Sequence, residues 1–148
     1  MKEMVYRPLA DFKKSSDCWV MLDESVYNNY HYAIVSYGTH PCAYVEIPQG
    51  HEYYGKNIYN FDFPIKCHGG ITYSSDKGIL FPVEHELHRD GYWIGWDYNH
   101  YNDYSAYNID PAKADRIFRC NKKWTTEEIL EEVKNVIDQL GKTTSNQQ

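Results

Sequence analysis

His31-Tyr32-Ala33-Ile34-Val35-Ser36-Tyr37, then Gly38-Thr39-His40-Pro41, then Cys42-Ala43-Tyr44-Val45-Glu46-Ile47, is the stretch that decides the fold. Each flank is a short run rich in β-branched and aromatic residues, which pack well on a pleated surface. The four residues between them have hairpin length and carry glycine and proline, so the two runs are predicted to pair as antiparallel neighbours. Phe63 to Cys67, Ile71 to Ser74 and Tyr92 to Asp97 have the same character and extend the prediction to a twisted, mainly antiparallel sheet. Asp11 to Asn29 is ambiguous: Trp19, Val20, Leu22 and Val26 suit a short helix or a strand, and the helix is preferred.

The period changes near the end of the chain. Thr125 as N-cap with Glu128 three residues on forms a capping box, and Trp124 is placed to staple onto Ile129. Ile129, Val133, Val136, Ile137 and Leu140 then recur at helical spacing, and Gly141 reads as the stop. Glu127, Glu131, Glu132, Lys134 and Asp138 form the solvated face. The expectation is an α+β fold: a single domain over residues 1–141, its sheet packed by a C-terminal amphipathic helix, with a flexible polar tail at 142–148. Asp76 to Asp90 and Tyr98 to Asp115 are polar and long for loops, which in compact domains points to function or disorder.

With 148 residues the chain is long enough to bury a core. Fifteen Tyr, five Phe and four Trp mean that much of the contact area comes from rings with polar handles. A net charge of -6 repels phosphate backbones, so nucleic acid is not expected as a partner. Cys18, Cys42, Cys67 and Cys120 form no C-x-x-C pair, which signals free thiols rather than a zinc knuckle or disulfide framework. The start lacks an apolar signal region and no run reaches membrane-spanning length, so the expected setting is the cytoplasm, without a membrane partner.

One region reads like a site: His68-Gly69-Gly70-Ile71-Thr72-Tyr73, then Gly91-Tyr92-Trp93-Ile94-Gly95-Trp96-Asp97, with His100 and Asp103. Glycines beside His, Asp and rings let a backbone approach a ligand and a ring stack on it. The double glycine is no phosphate loop, having no Gly-Lys-Ser/Thr and no helix signal after it. Cys67 and His68 are adjacent on an expected strand, point to opposite faces and make no nucleophilic pair. Asp97-x-x-His100-x-x-Asp103, joined by His68 or His51, has the donors for a divalent metal, yet histidines and aspartates beside turns more often hold loops to backbone. No metal or other cofactor is therefore assigned. Gly50-His51-Glu52-Tyr53-Tyr54-Gly55-Lys56 is a second candidate loop, and His85 and His88 read as surface residues.

Cys42-Ala43-Tyr44-Val45-Glu46-Ile47-Pro48-Gln49-Gly50-His51, Tyr54-Gly55-Lys56, the His68 to Tyr73 block, Trp93-Ile94-Gly95-Trp96-Asp97 with His100 and Asp103, and the closing helix ending Gln139-Leu140 together resemble a family of small phage and prophage proteins. The resemblance covers residues 42–103 and the last helix. Where that family often has a Trp-Trp pair and Phe-Asp, this chain has Tyr92-Trp93 and Trp96-Asp97, and its Asp76 to Asp90 insertion is less typical. The resemblance implies a setting and candidate positions, His51, His68, Thr72, Asp97, His100 and Asp103, but no reaction.

The expectation is then a binding protein rather than an enzyme, working in the host cell's cytoplasm on a small polar or nucleotide-like ligand. A nucleotide-derived signal of host immunity is the first ligand to test. The ligand-binding candidates are His51, Tyr54, His68, Gly69, Gly70, Thr72, Tyr73, Trp96, Asp97, His100 and Asp103. Two rivals differ in class: an acidic inhibitor that binds a host defence protein, in the manner of anti-CRISPR proteins, and a metal-dependent hydrolase built on Asp97, His100, Asp103 and His68. Self-association into a homo-oligomer is compatible with either.

Overall fold

A computed structural model describes residues 20–36, 40–76, 91–99, 103 and 122–146, the side chains of 143–146 excepted. Among the described residues five strands, β1 (Val20–Tyr27), β2 (Tyr30–Ser36), β3 (Pro41–Ile47), β4 (Tyr73–Ser75) and β5 (Tyr92–Asp97), form one antiparallel sheet in the order β1-β2-β3-β5-β4, and a helix, α1 (Thr126–Asn146), lies C-terminal to it. The architecture is α+β. The hairpin pairing of β2 with β3 is observed, from Tyr32 opposite Val45 to Ser36 opposite Pro41; Gly38 and Thr39 lie outside the described residues.

The segment expected to be helical before Asn29 is instead β1 from Val20 onward. Asn28 and Asn29 both have positive φ, 49° and 71°, between the paired residues Tyr27 and Tyr30. That is a two-residue primed turn, whose twist matches the strands it joins, and Asn tolerates the left-handed region better than most residues. The register slips at Leu22, which the irregularity between Met21 and Asp23 turns into the core at 3% exposure.

Phe63 to Cys67 is not a strand. Pro64 has no N–H to give a ladder, and the backbone finds a side chain in place of a neighbouring strand: Lys66 N–H donates to Gln139 Oε1 and Lys66 C=O accepts from Gln139 Nε2, both at 2.8 Å. Phe63 and Ile65 still turn into the core.

The sheet buries apolar residues on both faces. On the helix side, Ile34, Val45, Ile94 and Trp96 meet Ile129, Val133, Val136, Ile137 and Leu140. Burying each of those five helix side chains contributes about 2 kcal/mol before chain entropy is counted. On the other side Ala33, Val35, Cys42, Tyr44 and Trp93 form a second cluster. Gly95 is a packing glycine, because a Cβ there would meet the Tyr44 ring and the Ala43 carbonyl at under 3 Å. Its bareness lets Tyr44 on β3 reach Tyr73 on β4 across β5, with ring centroids 5.4 Å apart.

The capping box forms as the sequence predicts: Glu128 N–H donates to Thr125 Oγ1 at 3.2 Å and Thr125 N–H to Glu128 Oε1 at 3.1 Å. Gly141 does not stop the helix, which runs on to Asn146 through the start of the expected tail. Glycine permits a left-handed stop without forcing one, and Gly141 does not have a positive φ. Among the described residues no helix is long and apolar enough to cross a membrane.

Candidate functional site

The chain brings its loops together around a buried carboxylate. Asp103 Oδ2 lies 2.6 Å from His68 Nε2, and its Oδ1 accepts from Trp124 Nε1–H at 2.8 Å. The Asp103 side chain is 3% exposed and that of His68 25%. A buried carboxylate needs such partners, since leaving it alone would cost far more than the pairing gains. Asp103 also forms a β-bridge with Lys122, so one residue ties the turn after Cys67 to the approach to α1.

Rings enclose the pair. The His68 imidazole lies nearly parallel to Tyr98, 8° between planes and 4.9 Å between centroids, while Trp124 meets it edge-on at the same distance. The Tyr98 hydroxyl accepts from Trp96 Nε1–H at 2.9 Å and donates to Glu132 at 2.5 Å. Burial first, then that bond to Glu132, pushes the phenol pKa up and keeps it protonated as the donor. The chain of contacts from Trp96 through Tyr98 to Glu132 therefore anchors the floor under His68 on β5 and α1. His68, held by a carboxylate and stacked on a ring, is a polar group with a fixed direction.

One residue further on, the backbone becomes the wall of an open groove of about 620 Å³. Gly69 and Gly70 have φ of 72° and 80°, in the region where a side chain is strained, and a Cβ on Gly70 would meet nothing within 4 Å. The turn is closed by Gly70 N–H donating to Cys67 C=O at 3.0 Å. Tyr59, Asn60, Phe61 and Asp62 supply the opposite wall. Tyr59 is 90% exposed and so leaves its ring open to solvent. Ile58 N–H bonds to Ser74 Oγ at 3.1 Å and Tyr59 N–H to Asn57 Oδ1 at 2.8 Å, so the wall is fixed to β4 and to its own turn.

The other candidates lie elsewhere. Asp97 stands opposite Cys42 on β3, on the sheet face away from α1, whereas His68 lies against Tyr98 on the helix side, so these two members of the one region that reads like a site lie on opposite faces of the sheet. Alternation along β5 is the reason, since Trp96 and Asp97 must point to opposite faces. Asp97 accepts from Asn99 N–H at 3.2 Å and shapes the end of its strand. Trp96 is core. Tyr73 packs on the far face against Tyr44, Tyr54 stands against Tyr92, and Thr72 is exposed, its N–H bonded to Gly95 C=O.

His51 is buried and fully used. Its Nδ1 accepts from Tyr53 N–H at 3.0 Å, which leaves the proton on Nε2 to donate to Leu140 C=O at 2.9 Å. It clamps the loop after β3 to the helix. His85, His88 and His100 lie outside the described residues, as do Cys18 and Cys120. Among the described residues no group of three or more His, Cys, Asp and Glu side chains is placed to hold a metal ion. Cys42 and Cys67 are free thiols, both pushed up to about 12, by burial first and then by Asp97 and Glu132 respectively, which makes them poor nucleophiles.

In the sequence Trp124 reads only as a staple and Glu132 as part of the solvated face, whereas with Tyr98, which sequence reasoning passed over, they build the floor, Glu132 turning in to accept from the Tyr98 hydroxyl. Tyr59, Asn60 and Asp62, which line the groove, were also passed over. Tyr98 carried a signal, standing two residues after Trp96 on the same side of the continuing chain. The groove residues carried none, because nothing in Ile58 to Asp62 shows that it faces a glycine turn. No protein-family model matches this chain, and no match is found among curated proteins or solved structures.

Proposed function

We propose that this chain is a phage-type accessory protein of the host cytoplasm, a single domain completed by its amphipathic C-terminal helix, that binds a small polar ligand and withdraws a nucleotide-derived signal from host immunity. What supports binding is one observation: an open groove of about 620 Å³ has the Gly69-Gly70 turn on one side and Tyr59 to Asp62 on the other. Glycines that keep side chains away, an exposed ring and a few oriented polar groups are what a small-ligand site requires. The binding group is the Gly69-Gly70 turn with Tyr59 across from it, and the His68–Asp103 pair one residue earlier holds that turn in place.

The inhibitor of a basic host protein has less support among the described residues. The carboxylates of the helix face are partly answered by lysines, Glu128 by Lys122 at 2.5 Å and Glu131 by Lys134 at 3.8 Å.

Native mass spectrometry of the purified protein, challenged with cyclic nucleotides and ADP-ribose-type compounds, tests the proposal. Retention of one compound by the parent chain, and its loss in Gly70→Val, is the expected result. No retained compound across the panel would overturn it.

A further inference from the structure

The imidazole of His51 is held by a pair of bonds that only one of its charge states can make. Tyr53 N–H points at Nδ1 from 3.0 Å, so Nδ1 must present a lone pair, while Nε2 carries the proton given to Leu140 C=O at 2.9 Å. A solvent proton taken up on Nδ1 would keep the bond to Leu140 but set donor against donor at the other nitrogen.

The surroundings do not offset that charge. The ring is 5% exposed, so a cation there loses its water. Facing it are Tyr30 from β2, with ring centroids 6.4 Å apart, Tyr53 from its own loop at 5.0 Å, and the Leu140 carbonyl from α1. None of the described carboxylates bonds to it. Asp138 and Lys142, the titratable side chains of α1 on either side of Leu140, carry opposite charges and line an open groove with Tyr30, and Glu52 next to His51 is exposed. Leu140 lies more than a turn before Asn146, where α1 ends, so the negative end of the helix gives little to a cation at this point.

The repulsion therefore falls on Tyr53, and Tyr53 is shared with the groove. Residues 48–56 are a run of turns, with His51 N–H donating to Pro48 C=O, Tyr54 N–H to His51 C=O and Lys56 N–H to Tyr53 C=O. The Tyr53 ring is buried against Phe61 and Phe63, at 5.6 and 5.9 Å between centroids, and those two rings line the groove that also holds Gly69 and Gly70. We propose that His51 is an acid-operated latch: protonation at Nδ1 breaks its bond to Tyr53 N–H, opens the turn from His51 to Tyr53 and moves the aromatic wall of the groove. The latch goes beyond the binding proposal and acts whether or not a ligand enters, so its test uses none.

The experiment is an NMR titration of the full chain from about pH 8 to about pH 5. The His51 ring nitrogens, the Tyr53 amide and the Phe61 and Phe63 rings are expected to change with one midpoint. Across it the protection of the Tyr53 amide against hydrogen exchange, corrected for the intrinsic effect of pH, should fall at least tenfold, roughly the scale of a local opening. In His51→Gln, whose side-chain amide does not titrate, that protection should stay constant over the same range. A His51 ring that charges while Tyr53 and Phe61 stay put would overturn the latch, and so would a ring still neutral at the acid end. An equal loss of protection in His51→Gln, or a midpoint shared with His68 instead of His51, would overturn it as well. Should His51→Gln fail to fold, the titration of the parent chain decides alone, because the two imidazoles are followed separately in the same spectra.

Discussion

His51 and His68 follow the same local grammar, an imidazole beside glycine in a loop after a strand-like run, and the protein uses them in opposite ways. His51 spends both ring nitrogens on backbone, Tyr53 N–H on one side and Leu140 C=O on the other, and is 5% exposed. His68 turns one nitrogen to a buried side-chain carboxylate, stacks on Tyr98 and keeps a quarter of its surface in solvent at the lip of a glycine turn. The difference lies in what surrounds each ring. Around His51 the partners are neutral backbone groups that the fold must satisfy anyway. Around His68 the partner is a buried side-chain carboxyl that had to be brought in from 35 residues away.

The largest effect should come from removing the first. His51→Ala removes the ring that bonds both Tyr53 N–H and Leu140 C=O and opens a gap beside Tyr30 and Tyr53. A loss of about 3 kcal/mol in denaturant unfolding is expected. If the loss is under about 1 kcal/mol, the clamp between loop and helix is not structural and the contrast with His68 collapses.

His68→Ala should cost less, about 2 kcal/mol, because the His68 ring keeps a quarter of its surface in solvent and Asp103 retains its bond from Trp124. A second substitution sharpens this. Asp103→Asn keeps an acceptor for Trp124 but removes the charge, so the double variant His68→Ala, Asp103→Asn is expected to be more stable than His68→Ala alone. An additive double variant would mean that the two residues do not act as a pair.

The contrast also marks what the sequence discloses. The β2–β3 hairpin, the capping box at Thr125 and Glu128, and the apolar stripe from Ile129 to Leu140 were legible because each is a local pattern read by local physics. The first hairpin was hidden by Asn28-Asn29, a weaker turn signal than Asn-Gly. Gly141 misled because a glycine's freedom is not an instruction. At the site, the importance of His68 and Asp103 could be suspected from residue type, but not their pairing, and Asp97 was grouped with them only because it is near Asp103 in the chain. Sheet alternation separates residues 96 and 97 more decisively than sequence proximity joins 97 to 103. The groove was not legible at all, being made where Tyr59 to Asp62 meets a turn from elsewhere in the chain.

A smaller effect tests whether the approach to α1 matters to the His68 side of the comparison. Thr125→Ala removes the reciprocal cap and should lower stability by about 1 kcal/mol. Because Trp124 holds Asp103 immediately before that cap, the variant should also loosen the His68 ring, seen as broadened or shifted imidazole resonances, while those of His51 stay put. Movement of both rings, or of neither, would show that the two histidines are not separately supported.

The smallest effect is electrostatic and carries a sign. The bond from Lys122 holds Glu128 below the usual carboxylate range, against the opposing pull of burial. A carboxylate whose folded pKa is depressed stabilises the fold above its unfolded pKa, and that contribution disappears as pH falls through the folded value. Glu128 and Lys122 are both well exposed, so screening keeps the effect small. Stability should therefore decline between about pH 5 and pH 3 by less in Lys122→Met than in the parent, and the gap should narrow at high salt. Because Lys122 meets Asp103 through backbone but holds its ammonium 4.2 Å from the centre of the Trp124 ring, the substitution should move the Trp124 indole resonance and leave those of His68 near their parent positions. A large shift of the His68 resonances would mean that the cap and the imidazole pair form one electrostatic unit, and would move His68 toward the structural role that His51 plays.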